Sequence, residues 1–141
     1  FQDFIGSKTG VMPGEEMLYA YRKSVAENRE VALIDRDIRA TVDRLGDVSR
    51  KEKFRALLEA GIGLLKGDEF EVSEIPEEEL VDEILYELEQ KFPGLHQVLV
   101  EERNQVMAGF LENLQEGEPD AEIVAFVGAA HRKEVQEMVE Q

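Results

Sequence analysis

The sequence predicts an α/β fold that is predominantly helical, with few short parallel strands. Apolar residues recur at three- and four-residue spacing in five stretches, which is typical of amphipathic helices. Two short runs, Val31–Ile34 and Ile123–Val127, are apolar on both faces, like strands buried within a parallel sheet. At 141 residues, the chain is expected to form a single domain over residues 1–141.

Start and stop signals delimit the helices. Ser49 and Glu52 form an S-x-x-E capping box, which predicts the start of a helix, and Gly46 ends the helix before it. Phe54 and Leu57 are expected on the buried face of the capped helix. A short charged helix is expected after the second strand. The five longer helices are predicted at residues 15–28, 36–45, 49–65, 77–92 and 95–115.

The charge of the chain excludes some classes of partner. A net charge of -16 argues against sequence-independent binding to nucleic acid or anionic lipid. Residues 68–89 carry eleven acids and no base, whereas residues 20–56 carry ten bases and seven acids. We interpret the acidic stretch as a solvated helix face; docking on the basic region, cation binding and salt adaptation are alternatives. The absence of cysteine excludes disulfides and thiolate chemistry.

The long fifth helix carries charge on its predicted inward side. Counted at about 100° per residue, Arg103 lies roughly 30° and Glu102 roughly 70° from the centre of the apolar stripe. Buried charges need partners or a purpose. Arg103 therefore either forms an internal salt bridge, with Asp35 or Asp37 as partner, or belongs to a pair that lines a pocket.

His131 stands out near the end of the chain. It follows the second predicted strand through a turn that begins at Gly128. Ligands of parallel sheets bind beyond the carboxyl ends of the strands, where a histidine can be a metal ligand, general base or proton donor. Asp35 and Arg36 end the first predicted strand, so they are expected at the same edge. His96, by contrast, is interpreted as a packed or solvated histidine.

Four segments resemble the TraB family of pheromone-shutdown, PrgY-like proteins, which is related to TIKI and GumN metalloprotease-like domains. The segments are GVMPGEEM at residues 10–17, ALIDRDIRATVDR at 32–44, EERNQVMA at 101–108 and IVAFVGAAH at 123–131. The resemblance implies an α/β domain whose strand ends carry two GxxH motifs. Only the second is found here, so the chain looks like the second, C-terminal half of such a domain, without the first GxxH strand. The charged residues after His131 depart from the family pattern.

The resemblance also implies roles for individual residues, because members of the TIKI branch are metal-dependent peptidases that use both GxxH histidines. The implied catalytic residues are Glu102, Arg103, Asn104 and His131. The implied substrate-binding residues are Asp35, Arg36, Arg44 and Gly128. A divalent metal is expected in the intact protein, with His131 as one ligand, and no metal is expected in this chain alone.

Two hypotheses about function follow. The first is a hydrolase acting on peptides, in which the isolated chain is inactive. The second is a non-catalytic peptide-binding or signalling module that captures a peptide carboxylate through Arg36 and Arg103.

The chain is expected to be a soluble domain of a membrane-anchored protein, with the anchor in segments outside it. It is also expected to form a homodimer through its orphaned apolar segments, Phe1, Phe4, Ile5 and Ile123–Val127.

Overall fold

The structure, a computed structural model, describes residues 14–66 and 77–140. The helices in these ranges are α1 (Glu15–Ala26), α2 (Ile38–Asp47), α3 (Arg50–Lys66), α4 (Glu77–Lys91), α5 (Pro93–His96), α6 (Glu102–Gly117) and α7 (Ala129–Val139). A π-helical stretch, Gln97–Glu101, joins α5 to α6, so that residues 93–117 form one continuous helical rod.

The parallel strands expected from the sequence are absent from the described residues, so the α/β part of the prediction was wrong. Neither residues 31–34 nor residues 121–128 contain a β-strand. A strand requires a neighbour that pairs with its backbone N–H and C=O groups, and neither segment has one within the described ranges. Val124 and Phe126 leave 69% and 58% of their surface exposed. The predominantly helical character is confirmed.

The described residues fall into two compact units. The smaller unit comprises residues 14–33 together with residues 122–127. The larger unit comprises residues 34–66, 77–121 and 128–140. All candidate site residues belong to the larger unit, so the site can be described within a single compact body.

Local chemistry explains where the helices of the larger unit begin. The Asp37 side chain caps α2 by accepting a hydrogen bond from the Arg39 backbone N–H at 2.7 Å. Pro93 opens α5, where the N–H that proline lacks has no intrahelical partner to lose. The Glu52 carboxylate accepts a hydrogen bond from the Leu95 backbone N–H at 2.9 Å. The glutamate of the predicted capping box therefore also ties α3 to the start of the long rod.

Two residues of α3 that were expected to be buried are exposed. Phe54 and Leu57 leave 68% and 72% of their surface uncovered. The helix docks through another face, where the Arg55 guanidinium lies 5.4 Å from the centroid of the Phe92 ring. The core of the larger unit lies instead around the long rod and α7. Its most buried apolar side chains are Val98, Val100, Met107, Ala108 and Val135.

Candidate functional site

Arg103 is fixed by a carboxylate and a backbone carbonyl. Its Nη2 and Nε donate to the two oxygens of Asp35 at 2.7 and 3.1 Å, and its Nη1 donates to the Leu99 carbonyl at 3.1 Å. The side chain is 27% exposed, so it is only partly buried. The hydrogen bond that Asp35 accepts from Arg103 lowers the pKa of the Asp35 carboxyl group. Of the two interpretations of Arg103, the salt bridge with Asp35 is therefore confirmed.

Glu102 lies between two arginines. Arg36 Nη1 donates to one carboxylate oxygen at 2.5 Å, and Arg44 Nη2 donates to the other at 2.6 Å. The Glu102 and Arg36 side chains are 18% and 11% exposed. Hydrogen bonds from Arg44 and Arg36 lower the pKa of Glu102 to about 2. A carboxylate held in this way is a weak base, because protonation would break both ion pairs.

Arg44 and Arg36 each have another hydrogen-bond partner in addition to Glu102. Arg44 Nη1 donates to Asp47 at 2.8 Å, and the pKa of Arg44 is raised, mainly by its hydrogen bond with Glu102. Arg36 Nη2 donates to the Ala40 carbonyl at 2.9 Å. The guanidinium groups of Arg36, Arg44 and Arg103 all face carboxylates of the chain itself, so a substrate carboxylate would have to displace these partners.

His131 is buried against an amide. It is 6% exposed, and its Nδ1 lies 2.6 Å from the Oδ1 of Asn104, which is fully buried at 0% exposure. Burial is the largest cause that lowers the pKa of His131, and the charge of Arg103 lowers it further, whereas Asp35 and Glu134 oppose the shift. Burial thus favours the neutral imidazole, the form that a base or a metal ligand must take.

Glu134 extends this contact and was missed in the sequence. The Nδ2 of Asn104 donates to the Oε2 of Glu134 at 2.5 Å. Glu134 lies three residues after His131 on α7, a spacing that places two side chains on the same side of a helix. That spacing was the available signal, but nothing in the sequence indicated that both side chains would meet at one buried asparagine on α6. We call His131, Asn104 and Glu134 the histidine relay.

Gly128 does not need to be glycine for steric reasons. It lies before the first residue of α7 with φ of −62°, a conformation that any residue adopts. A Cβ added there would lie 3.6 Å from the Cδ2 of His131, an ordinary van der Waals contact. This geometry does not require a glycine, and the substrate-binding role that the resemblance implies for Gly128 stays a prediction.

A cleft of about 410 Å³ opens beside the histidine relay. Its wall includes Glu134 and Ala130 from α7, and also His96, which is 6% exposed. The Nδ1 of His96 lies 3.4 Å from a carboxylate oxygen of Glu101, a pairing at five-residue distance that the π-helical stretch brings about. Of the two alternatives for His96, packed or solvated, the structure shows the packed one.

The described residues do not by themselves fit a divalent metal. Within residues 14–66 and 77–140, no three His, Cys, Asp or Glu side chains are grouped as metal ligands. Asp35 and Glu102, carboxylates next to the candidate site, are both held by arginines. His131 could contribute one ligand, but a metal would need others from elsewhere, since protein-bound zinc usually takes three or four protein ligands.

The larger unit thus carries a buried histidine linked to an amide and a carboxylate, beside a network of arginines and carboxylates. The family model of the TraB/PrgY/gumN family matches residues 10–141, and the chain belongs to this family. An uncharacterized protein of Methanocaldococcus jannaschii, MJ1365, is 34% identical over 142 residues. That alignment covers 92% of this chain and 33% of the relative, so the chain spans about a third of its length.

No solved structure matches the chain. No helix among the described residues is both long and apolar enough to cross a membrane.

Proposed function

We propose that this chain carries the His131 part of a hydrolytic site that acts on peptides, in a peptidase-like member of the TraB family. The observation that supports this most strongly is the burial of a neutral histidine against Asn104, at a distance of 2.6 Å. A histidine that is neutral at neutral pH has an unprotonated ring nitrogen, which can take a proton from an attacking water. A peptide pheromone would be one such substrate, and its hydrolysis would give this protein a role in pheromone shutdown.

The arginine network supports a positioning role for Glu102. Because Arg36 and Arg44 hold its carboxylate, Glu102 is suited to fixing α2 against α6 rather than to taking a proton. Arg103 lies close enough to His131 for its charge to affect the pKa of that ring. Its partner Asp35 shifts that pKa in the opposite direction, so the ion pair places one positive and one negative charge near the ring.

The alternative, a non-catalytic module that binds a peptide carboxylate, has less support. It assigns the binding to Arg36 and Arg103, and both guanidinium groups are already paired with carboxylates of the chain. A peptide carboxylate would have to compete with Glu102 and Asp35 for them. Metal dependence and a membrane anchor, which the family resemblance implies, stay predictions, with His131 as one ligand of the metal in the intact protein.

Changing His131 to Gln in the intact protein is expected to reduce peptide hydrolysis to the background level. The measurement is cleavage of a mixed peptide library, followed by mass spectrometry, with and without added divalent metal. Thr41→Val is the control, because Thr41 is similarly buried at 5% exposure and lies outside both the histidine relay and the cleft. Hydrolysis that survives in His131→Gln would contradict the proposal. Peptide binding by a protein without hydrolysis would favour the alternative.

We also propose that the chain self-associates as a homodimer. Ile123, Val124 and Phe126 are 40%, 69% and 58% exposed, and an apolar segment of this kind is a common contact between copies. Phe1, Phe4 and Ile5, the other residues expected in the contact, lie outside the described residues. Sedimentation at tens of micromolar (order of magnitude) should show a dimer that Phe126→Glu dissociates. A monomer at that concentration would contradict the proposal.

A further inference from the structure

The amide of Asn104 can face its two neighbours in only one way. Glu134 presents a carboxylate oxygen 2.5 Å from one end of the amide, and an ionised carboxylate only accepts hydrogen bonds. The end that faces Glu134 must therefore be the Nδ2 amino group, because the reverse orientation would set two oxygens against each other. The Oδ1 of Asn104 is consequently turned towards His131, 2.6 Å from its Nδ1.

The orientation of the amide determines which nitrogen of His131 carries the proton. A carbonyl oxygen only accepts, so Nδ1 of His131 must donate, and the neutral ring is left with an unprotonated Nε2. We propose that Glu134 is a positioning residue which, through Asn104, fixes neutral His131 in its Nδ1–H form. The assignment of the Nδ1–H form does not depend on the proposed function. Only the use of the free Nε2 lone pair, for catalysis or for binding a metal, rests on that function.

The packing around the relay keeps it in place. Asn104 is fully buried, so water does not compete for either end of its amide. Helices α6 and α7, which carry the three residues, pack directly against each other, and Met107 and Val135 between them are 2% and 3% exposed. Among the described residues, no buried side-chain nitrogen or oxygen lacks a hydrogen-bond partner, and each end of the Asn104 amide has its own.

The tautomer of His131 can be measured directly by NMR, and the spectrum is easy to assign because the sequence has two histidines. Long-range ¹⁵N–¹H correlation spectra of the 141-residue chain distinguish the protonated from the unprotonated ring nitrogen, and His96→Gln assigns the two rings. At neutral pH we expect His131 in the Nδ1–H form. In Glu134→Gln the side-chain amide can either accept from Asn104 or donate to it, so both orientations of Asn104 become available, and a mixture of the two tautomers is expected.

Glu137→Gln is the matched control, since Glu137 lies on the same helix one turn away and is exposed. It should leave the Nδ1–H form unchanged, and thermal unfolding should show that each variant is folded. Two results would overturn the inference: an Nε2–H ring in the unmodified chain, or a pure Nδ1–H ring in Glu134→Gln. Neither depends on hydrolysis. An intact protein with the expected tautomer and no peptidase activity would contradict the proposed function alone.

Discussion

Replacing Asn104 by Ala is expected to lower the free energy of unfolding by about 2–4 kcal/mol. The substitution removes a fully buried amide and leaves the Nδ1–H of His131 without an acceptor. A buried donor without a partner costs about 1–3 kcal/mol, and the cavity left by the side chain adds to that. Denaturant unfolding followed by circular dichroism measures the change.

Asn113→Ala provides the control for this experiment, because Asn113 is an exposed asparagine on the same helix. It should change stability by well under half as much, since its amide bonds only the Gly109 carbonyl at the surface. Equal losses in the two variants would mean that the buried hydrogen bonds of Asn104 contribute nothing beyond helix propensity. Asn104→Asp keeps the acceptor for His131 but sets a second carboxylate against Glu134, so it too should destabilise the chain.

Changing Glu102 to Gln is expected to lower stability by about 1–3 kcal/mol at pH 7, between the values for exposed and buried ion pairs. The pKa of Glu102 falls from its ordinary value of 4.5 to about 2 in the folded chain. A carboxylate with a depressed folded-state pKa stabilises the fold above its unfolded pKa and loses that effect as the pH falls. The difference between the two proteins should therefore be full above about pH 4.5 and disappear towards pH 2.

Unfolding curves at several pH values would test this expectation. They should cover the range from about 2, the pKa of Glu102 in the folded chain, to well above 4.5, its ordinary pKa. Glu112→Gln, an exposed glutamate of the same helix, is the control and should follow the unmodified chain at every pH. If Glu102→Gln were destabilised by the same amount at pH 2 and at pH 7, the loss would come from packing and not from the charge that Arg36 and Arg44 hold.

The helices were predictable because their signals are local. Gly46 indicated the end of α2, which lies at Asp47, and Ser49 indicated the start of α3, which begins at Arg50. Each signal lies within one helical turn of the boundary that it marks. The strand prediction for Ile123–Val127 failed for the opposite reason. Composition shows that a segment could be a strand, but only a neighbour elsewhere supplies the hydrogen bonds that make it one. Phe54 and Leu57 were likewise placed inward by periodicity, although α3 docks through another face.

The sequence selected several residues that lie together in the structure, but it did not indicate their contacts. Motif resemblance selected Asn104 and His131, and the charge on the inward side of the helix led to Arg103 and its partner Asp35. A count at about 100° per residue made Arg103 the most inward of the polar residues. In the structure Asn104 is the fully buried residue. The π-helical stretch before it has more residues per turn than an α-helix, so it rotates the later side chains around the helix axis relative to a count at a constant angle.

The π-helical stretch has a consequence for how this helix can vary in length. A π-helical turn can be regarded as an α-helical turn that has taken up one inserted residue. Deleting a residue within Gln97–Glu101 would let the rod continue as a regular α-helix, while Pro93–His96 and Glu102–Gly117 kept their faces towards their neighbours. His96 and Glu101 would then be four residues apart and would remain on one side of the helix. A one-residue gap in an alignment at this position is therefore compatible with an unchanged arrangement of Asn104 and His131.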